Sequence, residues 1–164
     1  MAFEIPENLH PDCGPVAWML GTWRGNGHGD YPMIDNFQFE QELIFAHDGR
    51  PFFHYFSRTW ILGDDGMRAR DGALETGFLR CRPERQVELL LSHPTGFVEI
   101  WLGTAESGKL DLTTDAVART GSAKEYVGGK RLYGNVEGDL LYAYDMAAQG
   151  QSLQPHIWAR LQRA

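Results

Sequence analysis

Hydrophobic and polar positions alternate along most of this chain. Phe37, Phe39 and Gln41 share one parity and Gln38, Glu40 and Glu42 the other, ahead of the apolar run Leu43-Ile44-Phe45-Ala46. A period of two marks an extended strand with one buried face. The segment 49–62, GRPFFHYFSRTWIL, is dense in aromatic and β-branched residues and stops at the turn GDDG, 63–66. The same signals predict strands over 73–81, 86–91, 97–104, 108–114, 122–127, 130–136, 140–148 and 156–162. Most are divided by turn sequences such as Pro94-Thr95-Gly96, Glu106-Ser107-Gly108 and Glu137-Gly138-Asp139. The gaps leave no room for helices of about 10–15 residues, which excludes βαβ units and predicts an all-β antiparallel meander of about ten strands. Such a sheet must hide its edges, either by closing into a barrel, the more economical route, or by folding into a two-sheet sandwich. A closed barrel of about eight to ten strands leaves an interior for one small ligand. Ahead of the strands, Val16-Ala17-Trp18-Met19-Leu20 predicts a short N-terminal helix or plug ending at Gly21.

Composition narrows the function classes. A chain of 164 residues, 43% of them hydrophobic, suits a single domain over 1–164 with a core of its own. The formal net charge of −7 argues against a nucleic-acid partner, and the small basic clusters Arg80-Cys81-Arg82 and Lys130-Arg131 lack interleaved aromatics for base stacking. No apolar run approaches the roughly 20 residues of a bilayer span, and the first residues lack a basic-then-apolar leader, so a cytoplasmic protein without membrane association is expected. In that compartment Cys13 and Cys81 are expected to be free thiols. Composition leaves the oligomeric state open, a homodimer included.

The stretch GTWRGNGHGDYP, residues 21–32, changes the picture. Its glycines, at 21, 25, 27 and 29, do not fit a dinucleotide or phosphate loop, and no Lys-Ser/Thr follows. In a strand, Gly25, Gly27 and Gly29 share one face with Trp23, while Asn26, His28 and Asp30 take the other. A face bare over three successive positions calls for something packed closely against it, either neighbouring backbone or a flat ligand. Trp23 is expected to seal the barrel end.

Candidate chemistry is sparse. Ser57, Ser92, Ser107, Ser122 and Ser152 lack a nucleophile elbow, and Ser92-His93 adjacency sends the two side chains to opposite faces. Glu40, Glu42, Glu75, Glu88 and Glu99 could pair across strands, but nothing in the spacing sets a glycosidase separation. The histidines at 10, 28, 47, 54 and 93 show no metal-binding spacing. His156, in LQPHIWARLQR, is a single imidazole; haem needs only one protein nitrogen. Parity opposes that role: Leu153, Ile157, Ala159 and Leu161 form the apolar face and His156 the other, unless Pro155 sits in a turn or bulge that resets the phase, or the apolar set packs outside against the N-terminal segment around a partly wet interior.

Taken together, GTWRGNGHGDYPMI, FQFEQELIFAH, GRPFFHY, ETGFLRCRP, VELLLSHPTGFVEI and the terminal LQPHIWARLQR resemble the nitrobindin family over about residues 16–163. The resemblance implies a ten-stranded antiparallel barrel, related in shape to fatty-acid-binding proteins, that holds ferric haem b at its wide mouth. It implies His156 as the iron ligand, Met146 against the porphyrin and Lys124 near the haem edge. It further implies nitric oxide and peroxynitrite as small-molecule ligands, with isomerisation of peroxynitrite to nitrate. Many members carry a histidine two residues before the glutamate of ETGFLRC, where this chain has Ala73, which weakens the distal side. His28 is another departure, free to lie on either side of the glycine wall. The alternative is a carrier of an apolar, fatty-acid-like ligand, or a haem-free barrel without catalytic activity.

Overall fold

The computed structural model describes residues 3–164. Ten strands form one closed antiparallel barrel: β1 (Gly21–Tyr31), β2 (Ile34–Ala46), β3 (Phe52–Leu62), β4 (Arg68–Cys81), β5 (Gln86–His93), β6 (Phe97–Glu106), β7 (Lys109–Arg119), β8 (Tyr126–Val136), β9 (Asp139–Ala148) and β10 (Gln154–Arg163). Each pairs with its sequence neighbour, and β1 meets β10 to close the ring, so closure and not a sandwich disposes of the edges. The alternation in β2 is realised as expected, with Phe39, Gln41, Leu43 and Phe45 buried.

Two elements differ from the sequence reading. Residues 122–125 form a connection, and the strands expected over 122–127 and 130–136 are one strand, β8, that runs through Gly128-Gly129. The glycine pair looks like a turn in sequence, but the ladder survives it through a bulge opposite β9. The N-terminal element is a 3-10 helix over Pro11–Met19 rather than a helix confined to 16–20; Gly14 and Pro15 suppress an α-helical continuation.

That 3-10 helix plugs one end of the barrel. Trp23, wholly buried, donates its Nε1–H to Met19 O at 2.8 Å. Arg163 lies 4.2 Å over the Trp23 ring, and its guanidinium donates to Leu20 O and to Trp18 O. Trp23 therefore seals the end as expected. Cys13 and Cys81 are buried free thiols at this end.

The bare glycine face turns inward. A Cβ on Gly25 would sit 2.3 Å from Arg160 O of β10; on Gly27 it would meet the Phe39 ring at 2.3 Å and Trp158 O at 2.6 Å; on Gly29 the Phe37 ring at 2.0 Å. Close backbone approach and two phenylalanine rings explain the glycines, so the run is wall architecture with Phe37 and Phe39 laid over it. His28 falls outside, stacked on exposed Trp158 at 5.6 Å. Among the described residues no helix is long and apolar enough to cross a membrane.

Candidate functional site

Opposite the plug, the barrel interior opens into a cavity of about 250 Å³. His156 lines it, and so does the residue beside it, Ile157. Two neighbours on a strand cannot both face inward in a regular ladder. The ladder is irregular here: Pro155 pairs with Asp145 and Ile157 with Tyr144, which leaves His156 as the extra residue of a bulge. The phase reset that the parity of β10 demanded is therefore present, immediately after Pro155. At the same level the β1–β2 ladder shifts register, with Asp35 and Asn36 of β2 facing Asp30 alone, and the β1–β10 pairing stops at Gly29 and Ile157. The Asp30 carbonyl, beyond that last pair, accepts the His156 Nδ1–H at 2.9 Å.

That bond sets the tautomer. A carbonyl only accepts, so Nδ1 carries the proton and Nε2 keeps its lone pair. Burial lowers the His156 pKa below its ordinary value and outweighs the opposing Asp30 carbonyl bond, which keeps the ring neutral. The ring is framed edge-on by Tyr31 at 5.4 Å, Tyr144 at 5.7 Å and Phe37 at 6.5 Å. Tyr31 is itself locked: its hydroxyl lies 3.1 Å from Met146 O and 3.3 Å from Ala148 O, and accepts from Ala148 N at 3.0 Å. A neutral, oriented imidazole with an unprotonated nitrogen, in an aromatic pocket, is a fit ligand for a haem iron.

The structure brings Met146 and Ala73 into the same cavity as His156. Lys124 does not line it; it is exposed in the connection between β7 and β8. That connection nevertheless adjoins the cavity rim, because Thr120 N–H bonds to Gly96 O beside the lining residue Thr95.

The cavity floor holds a buried polar network that the sequence reading did not assemble. Arg131 makes a bidentate pair with Glu75 at 2.7 and 2.9 Å and stacks between the rings of Trp101 and Tyr144, 4.8 and 4.7 Å away. His93 donates from Nε2 to Glu99 Oε1 at 2.6 Å, and its Nδ1 lies 3.6 Å from Glu75. Tyr55 donates to Glu75 and Tyr126 to Glu99, at 2.5 and 2.7 Å. Burial pushes the Glu75 pKa up, but the Arg131 charge and its two N–H bonds prevail and hold it at about 2.

Glu75 and Glu99 do come together across the barrel, but around a guanidinium and an imidazole rather than around a sugar. The seat that three carboxylate and imidazole ligands could offer a metal is occupied by Arg131. Arg131 commits Nη1 and Nη2 to Glu75, while its buried Nε–H is left without a partner. Parity carried a signal: Glu99 shares the phase of Phe97 and Trp101, and Arg131 that of Tyr133. A charge on the inward phase must have a buried partner, though strand phase does not say which.

Residues 12–163 match the family model described as THAP4-like, heme-binding β-barrel domain. A protein of Nocardioides sp. named peroxynitrite isomerase is 72% identical over 163 residues, 99% of each chain. A ferric nitrobindin-like protein of Cutibacterium acnes is 44% identical over 166 residues, 100% of each chain. Among solved structures, the crystal structure of Rv2717c from M. tuberculosis superposes with a TM-score of 0.85 at 35% identity, covering 95% of this chain and 99% of that one.

Proposed function

The chain belongs to the THAP4-like, heme-binding β-barrel family, the nitrobindin barrels, and from that premise we propose that it holds ferric haem b through His156 Nε2, binds nitric oxide and isomerises peroxynitrite to nitrate. The observation that carries the reading is the bulge in β10: His156 leaves the ladder and turns to the cavity, the Asp30 carbonyl of β1 fixes Nδ1, and Nε2 is left as the basic nitrogen of a half-buried ring. A break in the ladder that aims one side chain at a cavity is the kind of irregularity found beside functional sites.

When bound, ferric haem supplies an electrophilic iron that can take an oxygen of peroxynitrite. The chain's own residues do the rest. His156 Nε2 would hold the iron, and the Asp30 carbonyl raises the basicity of that nitrogen by accepting from Nδ1. Phe37, Phe97 and Ile157 exclude water from one side of the site, and Met146, which lines the same cavity, would pack against the porphyrin. Lys124 would approach the porphyrin edge from the rim. Ala73 offers no proton and no hydrogen bond, so ligands on its side are shaped by apolar contact. The Glu75–Arg131 pair neutralises the floor beneath, which keeps an isolated buried charge away from the iron. A cytoplasmic location and a homodimeric state belong to the same proposal.

Hemin titration tests it. Wild-type protein is expected to develop a Soret band that saturates at one hemin per chain, and His156→Ala to lose it; stopped-flow decay of peroxynitrite should be faster with loaded than with apo protein. Wild-type protein that ignores hemin yet binds a fatty-acid probe tightly would replace the haem reading with a carrier.

A further inference from the structure

All six tyrosines of the chain are buried or half-buried in the barrel, and what each hydroxyl touches differs. Tyr31 meets backbone carbonyls. Tyr142 donates to the Gln41 amide oxygen at 2.6 Å. Tyr133 accepts from Arg131. None of these partners is a base. Tyr55 donates to Glu75, but that carboxylate is bound on both oxygens by Arg131 and stays weakly basic. Tyr126 alone donates to a carboxylate that the guanidinium does not grip: Glu99 Oε2 is 2.7 Å away, and the nearest Arg131 contact to Glu99 is 3.8 Å, on the other oxygen. Tyr126 also accepts from Tyr144 at 2.8 Å, and the Tyr144 ring lies 5.7 Å from the His156 ring.

Resting on the haem reading, we propose that Tyr126 is a redox-active residue that donates one electron to oxidising radicals formed in the cavity, with Glu99 as its proton acceptor and Tyr144 as the bridge. The oxidant class is a one-electron nitrogen-oxide radical, nitrogen dioxide, which O–O homolysis of peroxynitrite releases. An electron leaves the Tyr126 ring and reduces nitrogen dioxide to nitrite. The phenol proton moves along the existing hydrogen bond onto Glu99 Oε2. The products are a neutral phenoxyl radical, a carboxylic acid and nitrite, and charge balances without another reactant. A tyrosine without a base in place would have to form a buried radical cation, which a low-dielectric interior penalises. Tyr144 is the poorer resting place for the hole because Arg131 sits over its ring, 4.7 Å from the centroid; its hydroxyl instead steadies the Tyr126 oxygen. A radical that escapes recombination is thus reduced inside the barrel.

The test mixes hemin-loaded protein with peroxynitrite, freezes it within milliseconds and records the EPR spectrum, with the Soret band of the same sample reporting haem loading and circular dichroism reporting fold. The proposal expects a tyrosyl radical in wild type, its absence in Tyr126→Phe, its persistence in Tyr55→Phe, and a yield lower by about 10²-fold in Glu99→Gln, the scale of a lost proton acceptor. Loaded protein with no tyrosyl signal, or a signal unchanged by Tyr126→Phe or Glu99→Gln, overturns it. A missing Soret band sinks the haem reading instead, and apo protein exposed to nitrogen dioxide from pulse radiolysis of nitrite then decides the Tyr126 assignment by the same comparison of variants.

Discussion

Gly27→Ala puts two opposed effects on one atom. Any alanine removes conformational freedom from the unfolded chain, which stabilises a protein by about 0.4–1 kcal/mol where the backbone can accept it. At Gly27 the new methyl would stand 2.3 Å from the Phe39 ring, 2.6 Å from Trp158 O and 2.8 Å from the Ala159 Cβ. The ring tip could give way, but the carbonyl and Cβ belong to the paired strand β10 and move only if the barrel wall spreads. Forcing one methylene into a packed core costs about 1–3 kcal/mol, so the balance is a loss of about 1–2 kcal/mol. At this chain length that corresponds to a Tm lower by roughly 2–8 °C. Gly14→Ala is the control, because nothing lies within 4 Å of a Cβ there, and its Tm should stay level or rise. Thermal unfolding followed by circular dichroism compares the two. An unchanged or higher Tm for Gly27→Ala would refute the claim that close packing of β1 on β10, and not ligand contact, is what the glycine run serves.

Three more outcomes follow from the site. Arg131→Met leaves Glu75 and Glu99 facing each other without their cation and should cost about 3–5 kcal/mol in denaturant unfolding, whereas Arg24→Met, which removes one partner of an exposed pair with Glu42, should cost less than about 1 kcal/mol. Acidification should act in two stages: the His156 pKa is lowered by folding, so its contribution is full above the ordinary value of 6.5 and is lost as pH falls below it, while Glu75, held at about 2 against 4.5, loses its contribution as pH falls from 4.5 through 2. Urea midpoints from pH 8 to pH 3 check this, and a midpoint that rises below pH 6 contradicts both signs. Tyr31→Phe removes the hydroxyl that Ala148 N donates to and that ties β1 to Met146 and Ala148; it should cost about 1–3 kcal/mol and weaken hemin binding, read by urea unfolding and Soret titration.

Much of the barrel was legible in the chain because its information is local. Alternation in 37–46 placed Phe39 and Phe45 inward, turn residues divided the strands, and the parity of Gly25, Gly27 and Gly29 set which face of β1 is bare. The same locality misled at Gly128-Gly129, where a turn-like pair stays in the ladder of β8 just after a bulge at Val127. His156 was legible as a residue and as a contradiction, an imidazole on the wrong phase of its own strand.

What resolved the contradiction lies more than a hundred residues away: the Asp30 carbonyl, just past the last β1–β10 pair, holds a ring that the bulge after Pro155 has turned inward. The buried network follows the same logic. Glu75, Glu99, Tyr126 and Arg131 each stand on an inward phase that the sequence displays, yet their pairing depends on which strands the closed barrel sets face to face. By itself the sequence determined the strands, their phases and the bare glycine wall, since those arise from neighbours along the chain. Only the tertiary structure decided which nitrogen of His156 is free and which carboxylate answers each cation and tyrosine, because buried charges and broken ladders are satisfied by partners that closure of the barrel brings within hydrogen-bond reach.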